Sequence, residues 1–477
     1  MITEPTTVTP LNRATAGAGA PAPVRIVHLG LGAFHRAHQA WYTQHASDAP
    51  EWGIAAFTGR RPDAATALSA QDGLFTLIER GAEGDKFELI TSIVEAHDGA
   101  DVAALSRLVA APSTAMVTLT ITEAAYNLAA DGTLDFTNPT VQSDIDVLRA
   151  ITALETFDAG HGPAAVSAAG RLVQALVARR AAGTGPIAVV SCDNLANNAT
   201  AARAAIGGLA DVVDPALGAW VAENVSFVGT SIDRITPRTT EAEIALVQAE
   251  CGYADSSPVV TEPFSDWVLS GDFPAGCPDW ASAGAVFVDE IEHFENRKLW
   301  LLNGAHSLLA YAGQLRGHTT VAQALADPSC DAWITEFWDE AEANLPAEGL
   351  AIPAYRAALL ERFGNARIAH HLAQIAMDGS SKLRMRAVPV LKAELGAGRS
   401  GAGAARMIAA WVAFLRQSHT TGVAIADSAA SDLLAALVLG TGADLKALVA
   451  VLDAELAENA DALAAVGAQI ENLSPGE

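Results

Sequence analysis

VRIVHLGLGAFHRAHQAWYTQHA, residues 24–46, is the stretch whose reading decides the fold. It opens as a short β-branched apolar run closed by Gly30 and continues with apolar residues at helical spacing. The pattern predicts strand, glycine turn and helix. Gly30 and Gly32 supply a tight turn and a close backbone approach, and the helix start that follows offers N–H groups without intrahelical acceptors. That combination receives the pyrophosphate of a dinucleotide. Phe34, His35 and Arg36 complete the loop and are taken with the glycines as cofactor-binding residues, although His35 stands where the G-x-G-x-x-G pattern expects a third glycine. Alone, the turn is a weak fingerprint; its place after the first strand of an alternating domain strengthens it.

Outward from this turn, WGIAAF (52–57), MVTLTIT (116–122) and IAVVSCD (187–193) read as further strands, with Ala-rich helical stretches between several of them. Such alternation predicts an α/β, Rossmann-type N-terminal domain with a mostly parallel sheet. Later β-like runs at 225–229, 258–263 and 285–290 carry that domain over residues 24–290. From 291 to 477 the texture is Ala- and Leu-rich at helical spacing, which predicts a mostly α-helical second domain. Residues 1–23 lack a basic segment followed by an apolar one and read as a flexible arm. After the second strand come Arg60, Arg61 and Asp63. Asp63 suits the ribose of NAD, whereas the arginines would receive the extra phosphate of NADP or simply form a solvated turn; NAD is the favoured cofactor and NADP the alternative.

Composition narrows the function. Twenty-nine Lys and Arg against 55 Asp and Glu give a net charge of −26, which repels nucleic acid and anionic membrane surfaces. An anionic substrate therefore requires a few local cations. Four scattered cysteines make neither a disulfide framework nor a zinc knuckle, and no run reaches the ~18 apolar residues of a spanning helix. A cytoplasmic enzyme acting on a small molecule, as a monomer or small homo-oligomer, is expected.

The strongest chemical signal is FENRKLWLLNGAHSLLAYAG, residues 294–313. On an α-helix with Lys298 at zero, His306 falls near 80°, Asn303 near about 140° and Glu295 near about 60°, so all can border one cleft. A lysine in an apolar cleft loses ammonium solvation, which lowers its pKa toward the range useful for taking a proton from an alcohol. Lys298 is thus the candidate general base, Asn303 a donor to the developing alkoxide and His306 an orienting group. An amphipathic helix start carrying the same polar residues without function is the plain alternative. Against it stands SCDNLANN (191–198), which begins where a strand ends, the place where α/β enzymes put ligands; Asn194 there is a second oxyanion donor.

KLWLLNGAHS (298–307), SCDNL (191–195), GLGAFHRAH (30–38), TLTITE (118–123), SIDRITP (231–237) and IAMDGSSK (375–382) together resemble the long-chain polyol dehydrogenases, the mannitol 2-dehydrogenase and fructuronate reductase family. The resemblance runs from residue 24 to at least 390. It implies an NAD(P)-dependent, metal-independent interconversion of a sugar-derived secondary alcohol and ketone. By it, Lys298 is the acid/base, Asn194 and Asn303 polarise the reacting oxygen, His306 positions substrate, Glu295 is a proton-path residue, Asp63 meets the cofactor ribose, and Asp233 and Lys382 line the substrate region. Departures bear on the substrate. This chain has TEAAY (122–126) where the mannitol branch shows TEGGY, and Gln374 where that branch carries an arginine. Arg386 matches a basic position of the fructuronate branch and with Lys382 would pair with a carboxylate, so a sugar acid is slightly favoured over a polyol. The neighbouring Arg384-Met385-Arg386 departs from the usual run, and both arginines read equally as surface charges.

His35 and His38 lack a completing ligand at usable spacing, so no metal site is expected, and no G-x-S-x-G elbow supports a hydrolase. A non-catalytic redox sensor is the rival of another class, but sensing requires no base.

Overall fold

The computed structural model describes residues 9–154, 163–368, 370–440 and 442–473. The chain divides into two compact units, Met1–Ile291 and Glu292–Glu477.

In the first unit the main sheet has eight strands: β1 (Val24–Leu29), β2 (Gly53–Phe57), β3 (Ile93–His97), β4 (Met116–Leu119), β5 (Ile187–Ser191), β6 (Val225–Asp233), β7 (Asp266–Ser270) and β8 (Val286–Phe287). Their spatial order is β3-β2-β1-β4-β5-β6-β7-β8. The first six run parallel, in the doubly wound order whose switch point lies between β1 and β4. β7 turns back antiparallel to β6. Alternation along each strand sends side chains to opposite faces. Val27, Val117 and Val189 enter one apolar cluster with the helices Val102–Ala110, Ala168–Ala182 and Asn198–Val213, while Ile26, Met116 and Ala188 enter the other with Gln39–His45 and Asp63–Ser69. Burial on both faces explains why these strands read as continuous apolar runs.

Three elements depart from the sequence reading. The described part of the N-terminal segment, residues 9–23, is not a flexible arm; residues 1–8 of that arm lie outside the described residues. Thr9–Pro10 pairs with Tyr253–Ala254, Leu11 is buried, Asn12 caps the helix Arg13–Ala16, and Arg13 donates to the Thr91 carbonyl at 2.8 Å. A hairpin of Phe75–Gly81 with Gly84–Ile90, joined by Val259–Thr261, forms a separate three-stranded sheet. β6 also runs four residues beyond the expected 225–229, to Asp233.

Every element of the second unit among the described residues is helical. Ala402–Thr421 is its centre, buried along Ala404, Met407, Ile408, Trp411 and Leu415, and it packs on Ala305–Leu315, Pro328–Ala343 and Ala460–Glu471. Among the described residues no helix is long and apolar enough to cross a membrane.

Candidate functional site

The glycine turn sits at the carboxyl end of β1. Gly30 has φ +113°, and its N–H and that of Leu31 both donate to the Phe57 carbonyl, at 2.9 and 2.8 Å. The Gly30 carbonyl accepts the Thr120 hydroxyl at 2.8 Å. Because Thr120 spends its one proton there, the 3.0 Å contact with His28 is donated by Nε2–H, and Nδ1 of the same ring accepts the Thr118 hydroxyl at 2.8 Å. Nδ1 accepts because the ring is neutral: burial pushes its imidazole pKa down to about 3, so the single ring proton is the one on Nε2. A chain of hydrogen bonds thus locks the turn from behind.

Gly32 is extended and caps the helix Ala33–Ala37, and the only atom a Cβ there would meet is the Gly30 carbonyl oxygen at 3.6 Å. Open space over an N–H-bearing helix start fits the pyrophosphate of a dinucleotide. The side chains of His35 and Arg36 do not serve that space, and this corrects the sequence reading. His35 is fully buried and stacks on His28, ring centroids 3.3 Å apart, which supplies the helix–strand packing that a third glycine gives elsewhere. Arg36 is buried and donates to the carbonyl and hydroxyl of Ser257 at 2.5 and 2.9 Å, tying the helix to a distant loop. Phe34 is half-buried and stacks on His38. Asp63 opens the helix Asp63–Ser69 beyond the end of β2, its side chain 81% exposed beside Arg61 at 4.0 Å.

At the ends of β4 and β5 lies a second group. Asp193 is 5% exposed, yet its partners are neutral: the Ile121 N–H at 2.5 Å and the Tyr126 hydroxyl. Burial outweighs those donors and pushes its carboxyl up to about 7. Its own carbonyl accepts the Asn198 amide at 3.0 Å, and Asn198 exchanges hydrogen bonds with the backbone of Thr230 on β6. Asn194, the next residue, is exposed at this strand end. Asp233 closes β6 in register with Asp266.

In the second unit the helix bearing Lys298 is not a uniform α-helix. Glu292–Arg297 and Ala305–Leu315 are α-helical, but Lys298–Gly304 is a π segment. The angles computed for an α-helix therefore fail inside it. With N–H groups bonding five residues back, residues 298 and 303 take the neighbouring relation that i and i+4 have in an α-helix. The cause is tertiary: the Leu301 carbonyl accepts Trp338 Nε1 at 2.7 Å and the Asn303 carbonyl accepts Arg386 Nη1 at 3.1 Å, so side chains intrude on the α ladder. Gly304 is needed in the same place, since a Cβ would stand 2.5 Å from the Phe337 ring. Lys298 is 8% exposed, Asn303 and Glu295 are half-buried and His306 is 7% exposed. The His306 ring lies 4.7 Å from those of both Phe363 and His370. Burial first, then His370, Arg362 and Arg386, holds its imidazole well below the usual range, hence neutral.

Arg386 is brought to the π segment, where it also donates to the Ser307 hydroxyl at 2.9 Å, and burial lowers its guanidinium to about 10. Lys382, on the same helix Gly379–Arg386, donates to the Ile375 carbonyl at 2.9 Å; burial and Arg386 lower its ammonium pKa. Arg386 thus sits at Asn303 and in the field of His306, and Lys382 lies in the field of Arg386 together with Asp378 and Asp427. Arg384 does something else, donating to the Val451 and Leu452 carbonyls at the end of the helix Ala443–Leu452.

Sequence reasoning missed several groups. Arg234, inside SIDRITP, is buried and donates to the carbonyls of Ala37 and Glu262, so that motif holds the end of the glycine-turn helix. Asp193, Tyr126, His28 and Thr120 were also invisible, although the alternating threonines of TLTITE were the available signal for the last two. Among the described residues no three His, Cys, Asp or Glu side chains are grouped to hold a metal ion.

Residues 24–282 match the mannitol dehydrogenase Rossmann domain and residues 290–474 the mannitol dehydrogenase C-terminal domain. The chain is 37% identical over 467 residues to the D-mannonate oxidoreductase of Escherichia coli (strain K12), covering 94% of this chain and 93% of that one. It is 34% identical over 410 residues to the mannitol 2-dehydrogenase of Cereibacter sphaeroides, covering 84% and 82%. Among solved structures, the Pseudomonas fluorescens mannitol 2-dehydrogenase in ternary complex with NAD and D-mannitol superposes with a TM-score of 0.76 at 31% identity, over 98% of this chain and 97% of that one. A doubly wound sheet with an open glycine turn, a helical second unit and matches over nearly the whole chain lead to one conclusion: the protein belongs to the mannitol dehydrogenase family and is an NAD-dependent oxidoreductase.

Proposed function

We propose that the protein interconverts the secondary alcohol of a sugar acid and its ketone, D-mannonate and D-fructuronate, with Lys298 as the general acid/base. The observation that carries the acid substrate is the gathering of Arg386 and Lys382, with Arg362 in the field of the same His306, in a chain of net charge −26. Cations held together against so acidic a background favour a carboxylate. The relative at 37% identity, a D-mannonate oxidoreductase, supports the same reading.

The turn at Gly30 and Gly32 would hold the diphosphate of NAD and Asp63 would meet its ribose, and NAD so held would supply the hydride acceptor for the carbinol carbon. Lys298 removes the hydroxyl proton during oxidation and returns it during reduction. Asn303 and Asn194 donate amide hydrogen bonds to the oxygen as it gains negative charge. His306, neutral, orients the substrate, Glu295 passes the proton onward, and Asp233 lies toward the substrate.

A polyol reading keeps one specific support: Arg386 and Lys382 already donate to main-chain carbonyls, which spends part of their donor capacity. NADH oxidation measured against fructuronate, fructose, tagaturonate and fructose phosphate decides between them. The acid reading expects kcat/KM for fructuronate to exceed that for fructose; activity on fructose alone overturns it. Lys298→Ala separates enzyme from sensor, because it abolishes turnover while leaving NADH binding in place.

A further inference from the structure

Asp193 is a buried acid that the reaction above does not use. A carboxylate taken from water is ordinarily matched by a cation, yet this one is held by a peptide N–H and a phenol, an expensive arrangement for mere packing. Its geometry ties three neighbouring strand ends together. Oδ1 and Oδ2 grip the chain leaving β4, at Ile121 and Tyr126, and the Asp193 carbonyl takes the Asn198 amide that also bonds Thr230 on β6. Asn194 is the first exposed residue after this knot. β5 ends at Ser191, and beyond it the carbonyl of the peptide between Asp193 and Asn194 accepts the Leu195 N–H at 2.8 Å beside the Asn198 amide, so the turn that carries Asn194 is tied to the same knot.

We infer that Asp193 is a positioning residue for the reaction, its carboxylate fixing the strand-end peptide that presents the Asn194 amide to the reacting oxygen. The inference rests on the role given to Asn194 above. Tyr126 shares the task, because its hydroxyl supplies one of the two bonds that orient the carboxylate. TEAAY, residues 122–126, thereby acquires a use: its tyrosine reaches back to the SCDN turn.

The test compares kcat and KM for NADH and for the ketone substrate in Asn194→Ala, Asp193→Ala, Asp193→Asn, Tyr126→Phe and the double variants D193A/N194A and Y126F/N194A. Loss of the Asn194 donor is expected to lower kcat about 10²-fold. D193A should lower kcat at least about tenfold with KM for NADH unchanged, and it should add nothing in the N194A background, as groups acting through one another are non-additive. D193N is isosteric, its oxygen accepting the Ile121 N–H and its amide donating to the phenol, so it should recover most of the lost kcat. A packing role has another signature: fewer folded molecules, each with wild-type kcat, as counted by circular dichroism. That result, or additivity of D193A with N194A, overturns the inference. Should D193A not fold, Y126F removes a single hydrogen bond, and the same drop in kcat and the same non-additivity are required of it. If N194A keeps full kcat, the assignment of Asn194 falls and takes the inference with it; if N194A loses kcat but D193A and Y126F do not, only the inference falls.

Discussion

Gly30 and Gly32 stand two residues apart in one turn, and a methyl group added to each meets opposite surroundings. At Gly30 φ is +113° and a Cβ would lie 2.0 Å from the Thr120 carbonyl oxygen, where ordinary contact begins near 3.4 Å. Gly30→Ala must open the turn by about 1.4 Å, the difference of those distances. That strains three hydrogen bonds, two to Phe57 and one from Thr120, worth about 0.5–1.5 kcal/mol each. A positive φ for alanine adds roughly 1–2 kcal/mol. The total is roughly 2.5–6.5 kcal/mol, a large share of the ~5–15 kcal/mol that stabilises a folded domain. Gly32 differs: its φ of −136° suits any residue and its Cβ would touch only the Gly30 oxygen at 3.6 Å. Gly32→Ala should cost no more than about 1 kcal/mol, the loss of a glycine N-cap. It places a methyl in the open space read as the pyrophosphate seat, so NADH affinity should fall at least about tenfold, or ~1.4 kcal/mol. Thermal unfolding and NADH titration by fluorescence measure both quantities. G30A should lose roughly 10 °C or more in Tm, whereas G32A should keep its Tm and lose affinity. A G32A protein that binds NADH as tightly as the parent refutes the placement of the cofactor, and a G30A protein with parental Tm refutes the steric argument.

Four further outcomes follow from the second unit and from Asp193. Lys298→Ala should lower kcat by about 10²–10⁴-fold, the usual contribution of a positioned general base, and added primary amines should restore part of it. Arg386→Met removes the donor to Asn303 and Ser307 and should raise KM for fructuronate about tenfold or more while changing KM for fructose much less, which parallel steady-state assays resolve. Trp338→Phe leaves the buried Leu301 carbonyl without its side-chain donor, a cost of about 1–3 kcal/mol seen as a lower Tm, and a structure of the variant should show the π segment relaxing toward an α-helix. Asp193, faced by Tyr126 and Cys192, binds its proton more tightly folded, near pH 7, than unfolded, near 3.8. Its contribution to stability is therefore complete below about pH 4 and is lost as pH rises toward 7, on the order of a few kcal/mol. Denaturant titrations at pH 5 and pH 8 should show that loss shrinking in D193N; an identical slope in both proteins contradicts it.

Much of this protein was written in its local sequence. VRIVHLGLGAF declares strand, turn and helix because alternation and a glycine act through dihedral angles and periodicity of the chain itself. The switch from β-branched runs to Ala- and Leu-rich helical spacing marks the two units for the same reason. Lys298, Asn303 and His306 stood out because polar groups within an apolar helix are conspicuous, and Asn194 because it follows a strand. What the local pattern did not contain is any partner distant along the chain. The carbonyls that turn Lys298–Gly304 into a π segment are claimed by Trp338 and Arg386, so the register of Asn303 was beyond reach of a helical wheel. The segment after Pro10 looked mobile because its hold comes from residues 91 and 254. Arg36 and His35 looked like cofactor residues until Ser257 and His28 claimed their side chains. Asp193 carried no signal of its own in SCDNL, since only the fold surrounds it with Ile121 and Tyr126 and takes it out of water. Sequence by itself singled out the candidate residues for the chemistry and determined most of the elements that bear them. Tertiary structure decided where those side chains point and in which protonation state, because burial and long-range hydrogen bonds exist only once the chain has closed on itself.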